Sequence, residues 1–358
     1  MRRSIKSSDA AKKRIQEALL AKNSKSSKQQ PVVTRRDPAK KDQKVVKQAI
    51  RRPQRIATLA LRPPSETLYT VEGRQHRIEL PENGCFNPAL LDLGDKFLMV
   101  YRPNELELIA CFIDEGYKPI QGSFLKLPLM NVADPRLVLL SDGRVLLSYS
   151  RYFSSVSLEH IAANFIMDLN TSRSKIFCGP SMRVSPKTLA GRQKNWMPFA
   201  VGSKVFFVAQ VCPHEIYEFN IERPESCAKR HHSRWTCNWF YAPRLRGNTN
   251  PVMLEDGRFL GTFHTSTAVN GVLHYDNGFY LFDSAPPFQP VSCSQRSYLP
   301  AEAAVEPHYR KAGQIKCTFP CGMVRRGQNL IISYGDNDSS VKILETTVEE
   351  ALSTFKRA

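Results

Sequence analysis

The sequence predicts an all-β protein, a five-bladed β-propeller with a disordered basic N-terminal arm. Three observations predict it. One hairpin pattern recurs five times from residue 85 onward, its turn glycines are spaced by 49, 59, 55 and 70 residues, and positive charge collects ahead of the first copy.

The arm comes first. Residues 1 to 60 hold 18 Lys and Arg against 4 Asp and Glu, a net charge of +14, whereas residues 61 to 358 carry +4 of the total of +18. A stretch rich in Lys, Ser and Gln and poor in aromatics cannot bury enough apolar surface to order itself. Residues 1 to 60 therefore read as the arm and residues 61 to 358 as the propeller. Basicity confined to a tail weakens nucleic-acid recognition as the function and leaves polyanion contact by the arm as the nearer expectation. Residues 61 to 84 are expected to add a strand that helps close the ring.

The five copies read "FNPALLDLGDKFLMVYR", "ADPRLVLLSDGRVLLSYSR", "WMPFAVGSKVFFVAQV", "TNPVMLEDGRFLGTFHT" and "FPCGMVRRGQNLIISYGD", with prolines at 88, 135, 198, 251 and 320 and turn glycines at 94, 143, 202, 257 and 327. Short runs of Val, Ile, Leu, Phe and Tyr joined by turns such as Asp142-Gly143 are hairpin signals, because glycine reaches the positive φ those turns need. Proline at a strand start removes an N–H where the ladder does not use it. Repeats of about 50 to 70 residues match one four-stranded blade each, with the intervening segments as outer strands. A β-sandwich or another all-β solenoid is the alternative. Helix is expected only at "SLEHIAANF" and at the terminal "TVEEALSTF".

A propeller gathers the starts of its inner strands around one axis, so the residues beside each repeat's proline converge. Asn87, Asp134 with Arg136, Lys194 with Asn195 and Trp196, Asn248 with Asn250, and Phe319 with Cys321 are thereby expected at one funnel. The ends of the second strands add Arg102, Arg151, Gln210, His264, and the Asp336 and Asp338 of "GDND". Arg246 joins them as a further cation.

One early carboxylate among many cations favours an anionic reactant. Inverting hydrolysis of a glycoside needs two carboxyl groups, one to protonate the leaving oxygen and one to activate water. Phosphate needs no base, because its oxyanion already attacks. The set therefore suits phosphorolysis of a glycoside, or the reverse reaction from a sugar phosphate or nucleotide sugar. Trp196, Phe199 and Tyr152 are available as an apolar platform for a sugar ring.

The succession "FNPAL", "ADPRL", "KNWMPF", "RGNTNPV", "GTFHT", "FPCG" and "ISYGDND", over roughly residues 80 to 345, resembles glycoside hydrolase family 130, the β-mannoside phosphorylases and hydrolases, and the related glycosyltransferase family 108 mannosyltransferases. The resemblance implies a five-bladed propeller and inverting transfer of β-linked, 1,2-bonded mannose. It makes Asp134 the catalytic acid, working through a hydroxyl of the bound mannose. It assigns phosphate to Arg151, Lys194 and His264, with Arg246 as a further candidate. From their place at the funnel, Asn87, Asn195 and Asp336 are expected to orient sugar hydroxyls, and Arg136, Trp196 and Asp338 to complete the substrate contacts. Two positions depart from the family: Ala133 stands where Glu precedes "DPR", removing a side chain available to the sugar, and "GDND" replaces "GAAD", altering the pocket floor.

The implied partners are a mannose-containing glycan and inorganic phosphate, a sugar phosphate or a nucleotide sugar. A hydrolase would need a second carboxylate such as Glu306 or Asp338, and a noncatalytic propeller that presents a binding surface is the reading from another class. No cofactor or metal is expected. No P-loop, dinucleotide fingerprint, HExxH or G-x-S-x-G occurs. Cys227, His231, His232 and Cys237 lack the paired knuckles of a structural zinc site, and "KRHHSR" reads as a solvated loop. "DND" lacks the βαβ setting of a metal-binding Asp-x-Asp.

Glu17 interrupts the one short apolar stretch of the leader, unlike a secretory signal, and no stretch reaches the length of a bilayer span. The nine scattered cysteines fit reduced thiols in the cytoplasm. Organelle targeting by the basic leader is the alternative.

Overall fold

A computed structural model of the chain describes residues 71 to 355 apart from 105, 153–161, 171–174, 185–193, 222–228, 238, 240–244 and 309–313. The expected arm lies outside the described residues. Strand β1 (Arg74–Ile78) comes from the segment expected to add a strand. The first unit then follows as β2 (Phe86–Asp92), β3 (Phe97–Arg102), β4 (Ile109–Ile113) and β5 (Leu125–Lys126). The second holds β6 (Val132–Leu139), β7 (Val145–Tyr152), β8 (Ala162–Asn170) and β9 (Phe177–Arg183). The third holds β10 (Met197–Val201), β11 (Lys204–Gln210), β12 (His214–Phe219) and β13 (Lys229–Ser233). Each of these three is a four-stranded sheet in sequence order.

The remaining strands form one nine-stranded sheet. Its fourth unit comprises β14 (Arg246–Gly247), β15 (Val252–Met253), β16 (Phe259–Val269), β17 (Val272–Phe282) and β18 (Pro290–Cys293). The fifth comprises β19 (Ile315–Arg326), β20 (Asn329–Asp336) and β21 (Ser340–Thr347), with β1 paired to β21 as its outer strand. A short parallel pairing of Leu273–Tyr275 with Ile315–Cys317 merges the two units, which the spacing of the repeats does not foretell. All five expected hairpins are antiparallel pairs.

Successive side chains on a strand point to opposite faces, so a sheet packed on both sides reads as an unbroken apolar run. Phe97 to Tyr101 are all buried for this reason: Leu98 and Val100 face the second unit with Leu137, Leu147 and Tyr149, while Phe97, Met99 and Tyr101 face the fifth with Ile331, Val341 and Ile343. Three further clusters fill the spaces between second and third, third and fourth, and fourth and fifth units. Gly322 permits the closest of these approaches, since a Cβ there would sit 2.3 Å from the Leu90 backbone nitrogen.

Two local expectations are corrected. Residues 162 to 165 of "SLEHIAANF" belong to β8 rather than to a helix, because pairing with β7 outweighs the local propensity of an Ala-rich stretch. "KRHHSR" contributes the outer strand β13 rather than a solvated loop, and His231 turns inward beside Phe206 and Phe288. The terminal helix α1 (Val348–Ser353) starts where Thr347 accepts the Glu350 N–H, the side-chain cap its sequence offers.

Candidate active site

At the strand ends of all five units lies an open cavity of about 160 Å³. The first unit contributes Asn87 and Arg102, the second Asp134, the third Lys194 and Asn195. Arg246, His264 and Tyr275 come from the fourth; Ile315, Cys317, Phe319 and Asp338 come from the fifth.

Local backbone geometry aims the central pair. Asn87 and Asp134 each precede a proline, and each sits at a bulge in the first strand of its hairpin with positive φ, +50° and +53°. Asn and Asp tolerate this region better than other non-glycine residues. The bulge breaks the strand's alternation and swings both side chains to one point, where Asn87 Nδ2 donates to Asp134 Oδ1 at 3.2 Å. Asn195, at φ +63°, is turned in the same way just before β10.

Asp134 is 4% exposed, and its other oxygen lies 2.9 Å from Lys194 Nζ. Burial disfavours its charged form, yet Lys194, Arg102 and Arg136 together outweigh burial and hold the carboxyl below its ordinary value. The resting site therefore contains a carboxylate. Asn87 Oδ1 and Asn195 Oδ1 are buried with no hydrogen-bond partner among the described residues, so each can accept from a ligand hydroxyl.

Across β14 and β16, Arg246 stands opposite His264, and directly opposed residues share a face. Arg246 remains exposed while the imidazole is buried. Burial, reinforced by Arg246, Lys194 and Arg136, pushes the His264 pKa down to about 3. This ring is neutral at physiological pH, so it cannot serve as the cation expected from its residue type. Tyr275 stacks on it at 5.5 Å and Phe319 meets it edge-on at 5.1 Å, which makes these two the aromatic surface of the cavity. Tyr275 escaped the sequence reading because it lies in the partner strand beyond the repeated hairpin.

Several expected residues do not line the cavity. Arg136 is 1% exposed: its Nε donates to the Asn248 carbonyl, its Nη1 donates to the Pro135 carbonyl at 2.8 Å, and it acts on Asp134 as a buried countercharge. Arg151 is exposed at the end of β7, opposite Val132. Asp336 is fully buried; it accepts the Val305 N–H at 3.2 Å and Lys342 Nζ at 2.6 Å, and so anchors the 305–308 segment. Burial raises its pKa despite Lys342. Glu306 pairs with Arg77 and Lys342, whereas Asp338 does line the cavity, 3.5 Å from His308.

Trp196 is 2% exposed and stacked on Tyr217 at 5.2 Å, within the cluster between the second and third units. Phe199 is likewise core, packed against Phe206 and Phe259. Trp196→Ala is expected to lower unfolding free energy in urea by roughly 3 to 5 kcal/mol, the cost of a large core cavity. Ligand affinity at the cavity in the fraction that stays folded should not change. Weakened binding with unchanged stability would show the indole to be a ligand contact.

Among the described residues no group of three or more His, Cys, Asp or Glu could hold a metal ion, and no helix is long and apolar enough to cross a membrane. Cys227 lies outside the described residues.

The class so defined is an all-β fold whose strand ends gather a buried carboxylate, cations and two unsatisfied amides at one cavity. Solved structures with this fold include a β-1,2-mannobiose phosphorylase from Listeria innocua in complex with β-1,2-mannobiose, 13% identical, with a TM-score of 0.56 over 77% of this chain and 94% of that one. A mannose phosphorylase from Leishmania mexicana in complex with a phosphate ion is 11% identical, with a TM-score of 0.52 over 82% of this chain and 94% of that one. A GDP-mannose-dependent mannosyltransferase from the same organism, also 11% identical, has a TM-score of 0.52 over 79% and 90%. These are structures of the two families that the sequence resembles, and at such identities they establish a shared fold. No family model matches the sequence, and no curated protein matches it.

Proposed function

We propose that the chain is an inverting β-mannosyl-transferring enzyme, a β-1,2-mannoside phosphorylase or a mannosyltransferase that uses mannose 1-phosphate or a nucleotide-activated mannose. The observation that carries this reading is Asp134, one buried carboxylate paired to Lys194 at 2.9 Å on an open cavity that Arg102 and Arg246 also line. Five hairpin units with a core cluster between each successive pair, the fifth returning to the first, support a closed five-bladed propeller as its frame.

In synthesis, Asp134 takes the acceptor's proton, relayed by a mannose hydroxyl. The acceptor oxygen bonds to the anomeric carbon as the bond to phosphate breaks on the opposite face, and phosphate leaves with the electron pair. The ionised carboxylate is already the base this direction needs. For phosphorolysis it must first gain a proton, and a phosphate that draws Lys194 away favours that gain. Lys194, Arg102 and Arg246 hold the anion, Asn87 and Asn195 accept sugar hydroxyls, and Tyr275 with Phe319 supplies the apolar face. Residues 1 to 60 serve as a polyanion-binding arm that catalysis does not require, and the scattered cysteines favour the cytoplasm.

Asp338 on the same cavity supports a second reading, hydrolysis, because it is a second carboxylate able to activate water. Product analysis of the full chain with β-1,2-mannobiose plus phosphate, with mannose 1-phosphate and with GDP-mannose tests all of these. Mannose 1-phosphate formed only when phosphate is present identifies a phosphorylase. Free mannose formed without phosphate identifies a hydrolase, and no turnover of any substrate leaves a binding module.

A further inference from the structure

Asn277 is fully buried, and its side-chain nitrogen lies 2.7 Å from the Leu299 carbonyl and 2.8 Å from the Thr318 carbonyl. It also reaches Thr318 Oγ1 at 3.0 Å, and that hydroxyl spends its own proton on the Leu299 carbonyl. Carbonyl oxygens only accept, so the atom facing them is the NH2 group and the amide has one orientation. Its oxygen then faces Asn248, whose Nδ2 donates to it at 2.8 Å. Asn248 must therefore turn its own oxygen to His264, where Nδ1 lies 2.6 Å away. An amide oxygen is an acceptor, so His264 Nδ1 carries the proton.

A neutral imidazole carries one N–H. With Nδ1 protonated, Nε2 is the nitrogen left for a ligand, and it is a bare acceptor. Full burial beside Arg246, Lys194 and Arg136 keeps the ring from gaining a second proton. Attraction for an anion comes from the surrounding cations, to which a neutral ring adds no charge. What Nε2 contributes is a demand that the bound anion bring a hydrogen of its own.

We propose that His264 Nε2, fixed as an acceptor by the Asn277–Asn248 relay, reads the P–OH group of monohydrogen phosphate and discriminates against oxyanions that lack a proton. Sulfate and the pyrophosphate bridge of a nucleotide sugar carry no such hydrogen; both oppose lone pair to lone pair. The inference rests on the phosphate-using form of the proposed function and favours inorganic phosphate over a nucleotide sugar as the reactant. It also fixes the proton balance. In phosphorolysis an unprotonated phosphate oxygen bonds to the anomeric carbon while the P–OH proton stays on phosphorus-bound oxygen, shared with Nε2. In reverse, mannose 1-phosphate reacts as its monoanion and monohydrogen phosphate departs, so a trianion never forms. Asn248 and Asn277 are positioning residues for this contact.

The test uses calorimetry and ¹⁵N NMR on the full chain. At about pH 8 phosphate and sulfate are both dianions, so nonspecific attraction to the basic arm is the same for both. Phosphate is expected to bind roughly tenfold or more tighter than sulfate, the worth of one hydrogen bond made against one acceptor left opposed. His264→Gln, whose amide can turn either group to the ligand, should bring the two anions within about twofold. Independently of any variant, the histidine signal absent from His264→Gln spectra should show Nδ1 protonated and Nε2 bare in the anion-free protein. Equal binding of the two anions, or a proton on Nε2, overturns the proposal even if mannosides are still cleaved by phosphate. Binding of neither anion, with no phosphate-dependent turnover, overturns it together with the functional reading beneath it.

Discussion

Asp134→Asn is expected to lower mannosyl transfer by about a thousandfold while leaving the chain folded, because an amide can neither take up nor return the proton. The replacement conserves volume and keeps an oxygen to accept from Asn87, so the local geometry is retained. What it removes is the negative charge facing Lys194, Arg102 and Arg136. Losing a charged hydrogen-bond partner should cost about 2 kcal/mol of stability, read from urea unfolding beside the steady-state rate. A variant that keeps more than about a tenth of wild-type activity would remove Asp134 from the chemistry. The same carboxyl sets a pH signature. Since its folded value lies below the ordinary one, its contribution to stability is complete above about pH 4 and is lost only as pH falls through the lowered value.

Lys194→Met is expected to move two measurements at once. Lys194 is the largest of the cationic influences on Asp134, so without it the charges opposing burial fall to Arg102 and Arg136, and the carboxyl pKa rises. The acid limb of kcat/KM for synthesis should then shift to higher pH, because the base protonates earlier. Phosphate affinity should fall roughly 30-fold, near the lower end for a truncated buried charge partner, since this ammonium is 22% exposed and water replaces part of what is lost. Weakened phosphate binding with an unchanged pH profile would show that the 2.9 Å pair carries no weight in solution. An unchanged phosphate affinity would place the anion elsewhere in the cavity.

The hairpins were legible because their chemistry is local. Asp142-Gly143 and Asp256-Gly257 turn the chain whatever surrounds them, and proline at each strand start marks where pairing begins. Asn87, Asp134 and Asn195 were legible for a related reason: each is a residue that tolerates positive φ beside a proline or a strand start, where a bulge can redirect it. The helix expected at "SLEHIAANF" failed at residues 162 to 165 because its propensity is weak beside a full ladder of pairs to β7. Nothing local announced the parallel pairing of β17 with β19, which joins residues about forty apart.

Arg102 and Arg151 mark the limit most clearly. Arg102 is the last residue of β3 and Arg151 the next-to-last of β7, and each lies eight residues beyond its hairpin's turn glycine, so by sequence pattern they are equivalent. Arg102 lies over the Phe86 ring at 4.5 Å and lines the cavity, while Arg151 is exposed and does not. Side-chain direction alternates along a strand, so a one-residue difference in where pairing starts sends a side chain to the other face. Trp196 and Asp336 differ from their expected roles because partners on nearby strands, Tyr217 stacked on the indole and Lys342 paired to the carboxylate, hold them inside the fold.

By itself the sequence determined that the described body is nearly all β, where its hairpins turn, and which residues stand at their starts, since turn geometry, alternation and proline's missing donor act within a few residues. Only the tertiary structure decided which charged side chains share water in one cavity, that Asp134 rests ionised, and that His264 stands neutral with one nitrogen spoken for. Those properties are sums of burial, Coulomb attraction and hydrogen-bond orientation over groups as many as 130 residues apart, such as Asp134 and His264, and no short stretch of chain contains them.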